Sequence, residues 1–301
     1  MQGLIRDLKR NRTAYLMAVP AVILLLVFSY APMYGILIAF KKYKPALGIL
    51  GSPWIGFTHF ETFFRSAHFL KLVRNTVCIS LYSMAVEFPL PIVLALILNE
   101  VRAPKFKRTV QTITYMPYFI STVVICGILK QFLAYDGTLN AILKHLFGME
   151  PVIFLNEARY FRSVLVWSNV WQSVGWNSII YMAAIAGIDM QLYEAARIDG
   201  CGRFRQALYV TLPGIVPTIV ILLILTMGSL FAVATDKILL LYTPLTYETG
   251  DVIGTYVYRK GIRGGDYSFS TAVGLAQTVV NFTLLIVVNN VSKRVSEVSL
   301  W

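Results

Sequence analysis

The sequence predicts an all-α, polytopic membrane protein with six transmembrane helices, and three observations carry that expectation. Of the 301 residues, 57% are apolar and only 14% are charged, against about 25% charged in soluble domains. Apolar stretches of the length that crosses a bilayer, about 20 residues, recur along the chain. Lys and Arg, which give a formal net charge of +12, crowd at the ends of those stretches, where membrane topology explains them without nucleic-acid binding. Mean hydropathy is +0.65. Cys78, Cys126 and Cys201 show neither metal-ligand spacing nor a disulfide framework.

In chain order, residues 1–13 are polar and basic, with Arg6, Lys9, Arg10 and Arg12, and read as a cytoplasmic segment. Residues 14–301 read as a single transmembrane domain. Ala14–Phe40 is the first span. It is too long for a signal-peptide core and lacks a small-residue cleavage pattern. Pro20 and Pro32 are expected to kink it, which membrane helices tolerate. Lys41–Arg74, with Trp54, Phe57, Phe60, Phe63 and Phe64, reads either as an interfacial segment or as a loop packed on the spans. Thr76–Leu98 is the second span, with Glu87 at its centre beside Pro89 and Pro91. A carboxylate at that depth lines a cavity or is protonated and bonded to a neighbouring helix. Val110–Phe132 is the third span and carries Lys130 near its end. Asp136-Gly137 marks a turn. Phe161–Ala184 is the fourth span, Pro217–Leu241 contains the fifth and reaches Lys237, and Phe269–Val291 is the sixth.

Between the fourth and fifth spans lies the longest structured polar interval, Asp189–Pro213. Asp189 is placed to cap a helix. Leu192, Ala195, Ala196 and Ile198 supply a short apolar face, and Gly200 is placed to end the helix in the left-handed region. Arg203–Tyr209 reads as a second short helix stopped before Leu212-Pro213. The residues Glu194-Ala195-Ala196, Asp199-Gly200, Gly202 and Leu212-Pro213 resemble the EAA loop of binding-protein-dependent ABC importer permeases of the MalF type, with Met190 where that family often has proline. The resemblance implies that this loop is the coupling helix seated on a cytoplasmic ATPase subunit, through Tyr193, Glu194, Ala195, Ala196, Asp199, Gly200, Gly202 and Phe204. A cytoplasmic loop places both termini in the cytoplasm of a bacterial cell with the chain in its cytoplasmic (inner) membrane. The density of Lys and Arg in the short segments on that side agrees. Farther on, Ile238–Pro244, Gly250–Ile253, Thr255–Tyr258 and Tyr267–Gly274 are similar to the LplB-like subgroup, which serves importers of complex oligosaccharides, among them alginate and pectin fragments.

No phosphate-binding Gly-x-x-x-x-Gly-Lys-Ser/Thr loop occurs, so the chain is expected not to hydrolyse ATP or to be an enzyme. No metal or catalytic set is expected. The resemblance implies a homologous second permease, two ATPase subunits that bind ATP and Mg, an extracytoplasmic solute-binding protein and an oligosaccharide substrate, with membrane lipid around the chain and no nucleic acid. Candidate pathway residues come from polar stripes. Asn169, Gln172 and Trp176 share one side of the fourth span, with Trp167 and Trp171 opposite. Ser270, Gly274, Gln277 and Asn281 form a second stripe in the sixth span. Lipid cannot satisfy amides, so each stripe faces a cavity or bonds across helices. Glu87, Lys130 and Lys237 complete the candidate set.

Lys41, Lys42, Lys44, Lys71, Arg74, Lys130, Arg162 and Lys237 lie near the outer span ends, where a ring of one sign would attract an anionic oligosaccharide such as a uronate. Span-end cations also snorkel to lipid headgroups. Neutral or pectin-derived oligosaccharides are the alternative substrates. An ion-coupled secondary transporter is the alternative mechanism and would require paired intramembrane charges and inverted repeats.

Overall fold

The computed structural model describes residues 10–296; Arg6, Lys9 and the rest of 1–9, with 297–301, lie outside the described residues. Among the described residues the chain is helical, with one isolated antiparallel bridge between Lys41 and Trp54 and no strand. It divides into two compact units, one built from the residues up to Ser66 with Val257–Ala276, the other from Ala67–Tyr256 with the residues from Gln277 onward.

The first helix, α1 (Arg12–Leu25), passes without a break into a π turn over Leu26–Tyr30 and a 3-10 stretch over Ala31–Phe40. Pro32 explains the change of pitch. Its ring collides with the carbonyl four residues back, Phe28, and it offers no N–H, so the turn before it widens. Pro20 is carried inside α1. From Tyr15 to Ile36 the apolar side chains of this path are exposed, as on a helix that faces lipid. The mixed segment that follows is packed, with Trp54 stacked on Phe40 at 5.6 Å and Phe57 and Phe60 around the same ring. Lys41 donates to the carbonyls of Ile49 (2.8 Å) and Leu50 (3.1 Å), ahead of α2 (Thr58–Phe64).

In the second unit α3 (Phe69–Glu87) and α4 (Pro89–Glu100) form a 32-residue path interrupted at Phe88. Pro91 withholds the N–H that would bond the Glu87 carbonyl, which puts the joint at the carboxylate. The expected third span is not one helix. α5 (Pro104–Tyr115) runs into a 3-10 turn at Met116–Phe119 and meets α6 (Thr122–Phe132) at a bend of 100°. Ser121 makes the new start, its hydroxyl accepting from Val124 N–H. After α7 (Thr138–Phe147), closed by left-handed Gly148, α8 (Ala158–Ala186) runs unbroken for 29 residues.

The loop holds α9 (Met190–Ile198) and α10 (Arg203–Gln206). The expected stop before Leu212-Pro213 does not occur. A π turn over Ala207–Thr211 absorbs Pro213 as the earlier one absorbs Pro32, and the helix reaches Gly214 before bending 59° into α11 (Val216–Gly228). The expected fifth span also ends early, because α11 stops at Gly228 after 13 residues. Residues 229–234 are not helical, and α12 (Thr235–Leu241) starts afresh.

The motif stretch 248–256 seals the tops of α3 and α8. Asn75 donates to the carbonyls of Glu248 and Asp251, Arg162 donates to Thr249 O and Asn75 Oδ1, and a Cβ on Gly250 would sit 2.5 Å from the Phe161 ring. α13 (Ile253–Tyr258) and α14 (Tyr267–Ser296) follow. Among the described residues three helices are long and apolar enough to cross a membrane, and five if each bent pair counts once. That is short of the six expected. The shortfall is at α8, long enough to cross but with Ser, Asn, Gln and Trp through its middle.

Candidate functional site

α8 is the frame of the site. Near its start Phe161 and Leu165 pack with Ile79, Cys126, Ile238 and Leu241 in one apolar core. Toward its end Tyr181 and Ile185 pack with Ile92, Ala95 and Ile215 in another. Between the two lie Ser168, Asn169 and Gln172, and the structure brings Glu87 and Lys237 to them. Asn169 Nδ2 donates to Glu87 Oε1 at 3.2 Å. Lys237 Nζ donates to Asn169 Oδ1 at 2.7 Å, Gln172 Oε1 at 3.0 Å and Ser168 Oγ at 3.4 Å. Gln172 Nε2 reaches the Ile120 carbonyl at 3.3 Å. One hydrogen-bonded network thus joins the α3–α4 joint, the α5–α6 bend and the restart after 229–234 to the unbroken α8. Breaking a buried charge out of such a network costs several kcal/mol, about 3–5 in soluble proteins.

Two cavities flank the network. The first, about 450 Å³, is lined by Glu87, Asn169, Ser80, Ser83, Asn177, Thr226, Ser229, Leu230 and residues 232–234, and follows α8 toward the loop. The second, about 360 Å³, is lined by Asn169, Gln172, Thr122, Thr235, Asp236 and Lys237. Sequence reasoning missed Asn177, eight residues beyond Asn169, and the irregular stretch 229–234, marked only by Gly228-Ser229.

The other candidates fall elsewhere. Trp176 stacks on Tyr118 at 4.6 Å and meets Phe119 edge-on at 5.4 Å, and neither cavity includes it. Its ring fills the elbow of the α5–α6 bend instead. Trp167 and Trp171 are exposed. Gln277 donates to the Phe231 carbonyl and Asn281 accepts from Phe231 N–H, while Ser80 donates to Leu230 O. Gln277 and Asn281 of the second stripe therefore clamp the broken backbone, which needs internal partners away from water, while Ser270 donates to the Val257 carbonyl. Lys130 is exposed in the last turn of α6 and stands outside the network. The expected outer ring of cations is corrected in part, since Lys41 is bonded to two backbone carbonyls, Arg162 to the Thr249 carbonyl and Asn75 Oδ1, and Lys237, 2% exposed, is buried.

In the loop Asp189 caps α9, its carboxylate accepting Gln191 N–H at 2.9 Å. Gly200, at φ +75°, closes it. Gly200 N–H bonds Arg197 O at 3.0 Å and Cys201 N–H bonds Ala196 O at 2.9 Å, which is a Schellman turn. Gln206 donates to Cys201 O, and the Tyr193 and Thr211 hydroxyls are hydrogen-bonded at 2.9 Å, fixing the second arm to the first. Glu194, Ala195, Asp199, Gly202 and Phe204 are exposed, and Tyr193 and Ala196 are half-buried. The expected apolar face does not pack inward. Leu192 and Ile198 stand out with Phe204, the last two 88% and 82% exposed, and such a display marks an interaction surface.

Comparison with known proteins agrees with this architecture. Residues 88–297 match the family described as binding-protein-dependent transport system inner membrane component. The chain is 41% identical to Protein LplB of Bacillus subtilis (strain 168) over 295 residues, 98% of this chain and 92% of that protein. It is also 41% identical to the polygalacturonan/rhamnogalacturonan transport system permease protein YteP of the same organism over 298 residues, 99% of this chain and 93% of that one. Among solved structures, it superimposes with a TM-score of 0.89 at 41% identity on a chain of a bacterial ABC transporter involved in the import of the acidic polysaccharide alginate, covering 97% of this chain and 99% of that one. A bacterial alginate ABC transporter in complex with an alginate pentasaccharide-bound periplasmic protein matches with a TM-score of 0.90 at 40% identity, covering 98% and 99%. Identity and coverage of this extent make the chain a non-catalytic ABC importer permease that belongs to the binding-protein-dependent transport system inner membrane component family.

Proposed function

We propose that this chain is the permease subunit through which an importer takes up an acidic oligosaccharide, alginate-like or pectin-derived. The observation that carries the reading is the chain-long likeness to permeases whose names specify polyuronate cargo. The chain crosses the bacterial inner membrane six times, α8 making the crossing that brings the five apolar spans to six, with both termini cytoplasmic. It pairs with a homologous permease. ATP and Mg belong to two ATPase subunits seated on the loop at Tyr193–Phe204, and a solute-binding protein delivers the sugar. ATP shifts the inward–outward equilibrium only through contacts that differ between the two states, and the exposed loop is where those contacts enter. Glu87 and Lys237 are intramembrane charges of the kind an ion-coupled transporter would need, but they are linked only through the Asn169 amide, and family membership assigns them to an ATP-driven machine.

The test is transport by the complete complex in liposomes. A uronate trisaccharide is expected to be transported, and to stimulate ATP hydrolysis, well above its carboxyl-reduced neutral counterpart. Equal or better turnover of the neutral sugar overturns the acidic reading.

We place the pathway along the two cavities, through Glu87, Asn169, Gln172 and Lys237, with Gln277 and Asn281 supporting its wall. In a background with Cys78, Cys126 and Cys201 replaced by serine, Asn177→Cys and Ser229→Cys are expected to react with a small water-soluble thiol reagent, at rates that change with ATP. Trp176→Cys is expected to react more slowly than either. Protection of both cavity positions in all states would assign the amides to helix–helix bonding alone.

A further inference from the structure

We propose that Asn169 and Lys237 form a septum between the two cavities, opened when a substrate carboxylate takes the place of Asn169 at the Lys237 ammonium. The inference rests on the acidic-substrate reading and adds where the acid is recognised. Asn169, Val233 and Ala234 border both cavities, whereas Glu87 faces only the first and Lys237 only the second. The direct way from one to the other runs between Asn169 and residues 233–234.

The chemistry of the network says what can part them. The ammonium of Lys237 has three N–H groups, and all three are given to neutral acceptors, the Ser168 hydroxyl and the Asn169 and Gln172 amide oxygens. Among the described residues no carboxylate lies within ion-pair distance of Nζ. A charge-assisted hydrogen bond to a carboxylate is about twice as strong as a neutral one. A uronate carboxylate in the second cavity therefore competes with the Asn169 amide and wins, while a sugar hydroxyl exchanges one neutral acceptor for another and gains little. Displaced from Nζ, Asn169 also loses the contact that orients its amide toward Glu87, and both septum bonds open together. Glu87, on the far side, repels a carboxylate that has entered the first cavity, so the anion is recognised at the septum without being trapped beyond it.

The experiment uses the complete complex in liposomes, with one solute-binding protein throughout, so that changes between variants belong to the permease. The probes are a uronate trisaccharide and its carboxyl-reduced counterpart. Lys237→Gln keeps a donor and removes the charge, and is expected to cut the uronate-over-neutral preference by about tenfold, chiefly by raising KM for the uronate, the size of one lost charge-assisted bond. Asn169→Asp gives the ammonium a permanent internal carboxylate and is expected to slow the uronate more than the neutral sugar. Should Lys237→Gln fail to assemble, Glu87→Gln with Lys237→Gln leaves an uncharged network, and the same loss of preference is expected. A wild-type complex with no preference would sink the acidic reading. A preference that survives Lys237→Gln, or the double variant, would sink the septum while leaving that reading intact.

Discussion

Gly175→Val is expected to prevent assembly of the complex, and Gly175→Ala to lower its stability by about 1–3 kcal/mol, the usual cost of overpacking. In lipid, apolar burial does not drive helices together, so close contact and hydrogen bonds carry association. At Gly175, α8 lies directly against the backbone of α5. A Cβ built there lies 2.1 Å from the Thr114 carbonyl oxygen and 2.4 Å from its carbon. Both are backbone atoms, which cannot rotate aside, so the helices must separate. Separation would reach the site, because α5 leads directly into Met116–Phe119, against which Trp176 stacks, and into Ile120, whose carbonyl holds Gln172. Gly127→Ala is the control. Nothing lies within 4 Å of the added carbon, and in a helix the exchange stabilises by about 0.5–1 kcal/mol. The check is the thermal midpoint and yield of the detergent-solubilised complex. Wild-type values for both Gly175 variants would refute the close-contact account.

Local chemistry was legible in the sequence, and helix continuity was not. Asp189 and Gly200 could be assigned their capping roles because a cap depends on neighbours within one turn. Asn169 and Gln172 could be grouped because helical spacing fixes which side chains share a side. Hydropathy, however, cannot report a bend. The run through Pro117 is apolar enough to pass as a span, as the run through Pro32 is, yet one turns by 100° and the other continues as a π turn and 3-10 helix. Proline marks where backbone bonding must change, and packing decides how. The error at 229–234 then moved Lys237. Read as the end of a continuous span, Lys237 is a mouth residue that either reaches into the pathway on its long stem or snorkels to headgroups. With the helix broken after Gly228 it begins a separate short helix and turns into the network. Gln277 and Asn281 were grouped correctly as a stripe, but their partner is the backbone of Phe231, exposed to bonding only by that same break.

Gly200→Val is expected to leave an assembled complex that transports at least about tenfold more slowly, whereas Gly200→Asn stays within about twofold of wild type, because a left-handed conformation costs ordinary L-residues roughly 1–2 kcal/mol and asparagine less. Space is not the obstacle, since a Cβ at Gly200 meets nothing within 4 Å. The cost lies in φ, +75° at this residue, and a β-branched side chain tolerates that region least. Valine would therefore abandon the turn, and with it the bonds from Gly200 N–H to Arg197 O and Cys201 N–H to Ala196 O. Cys201 also carries the carbonyl that receives Gln206, so loss of the turn loosens α10 from α9 and changes how Phe204 is presented beside that helix. The loop would still join α8 to α11, and the cores at either end of α8 contain no loop residue between Asp189 and Gln206, which is why assembly is expected to survive. Steady-state ATP hydrolysis with and without substrate and its binding protein, on purified complexes, separates the outcomes. Loss of substrate stimulation in the valine variant with its retention in the asparagine variant is the expected result, and stimulation at the wild-type level in Gly200→Val would show that the elbow does not transmit the signal.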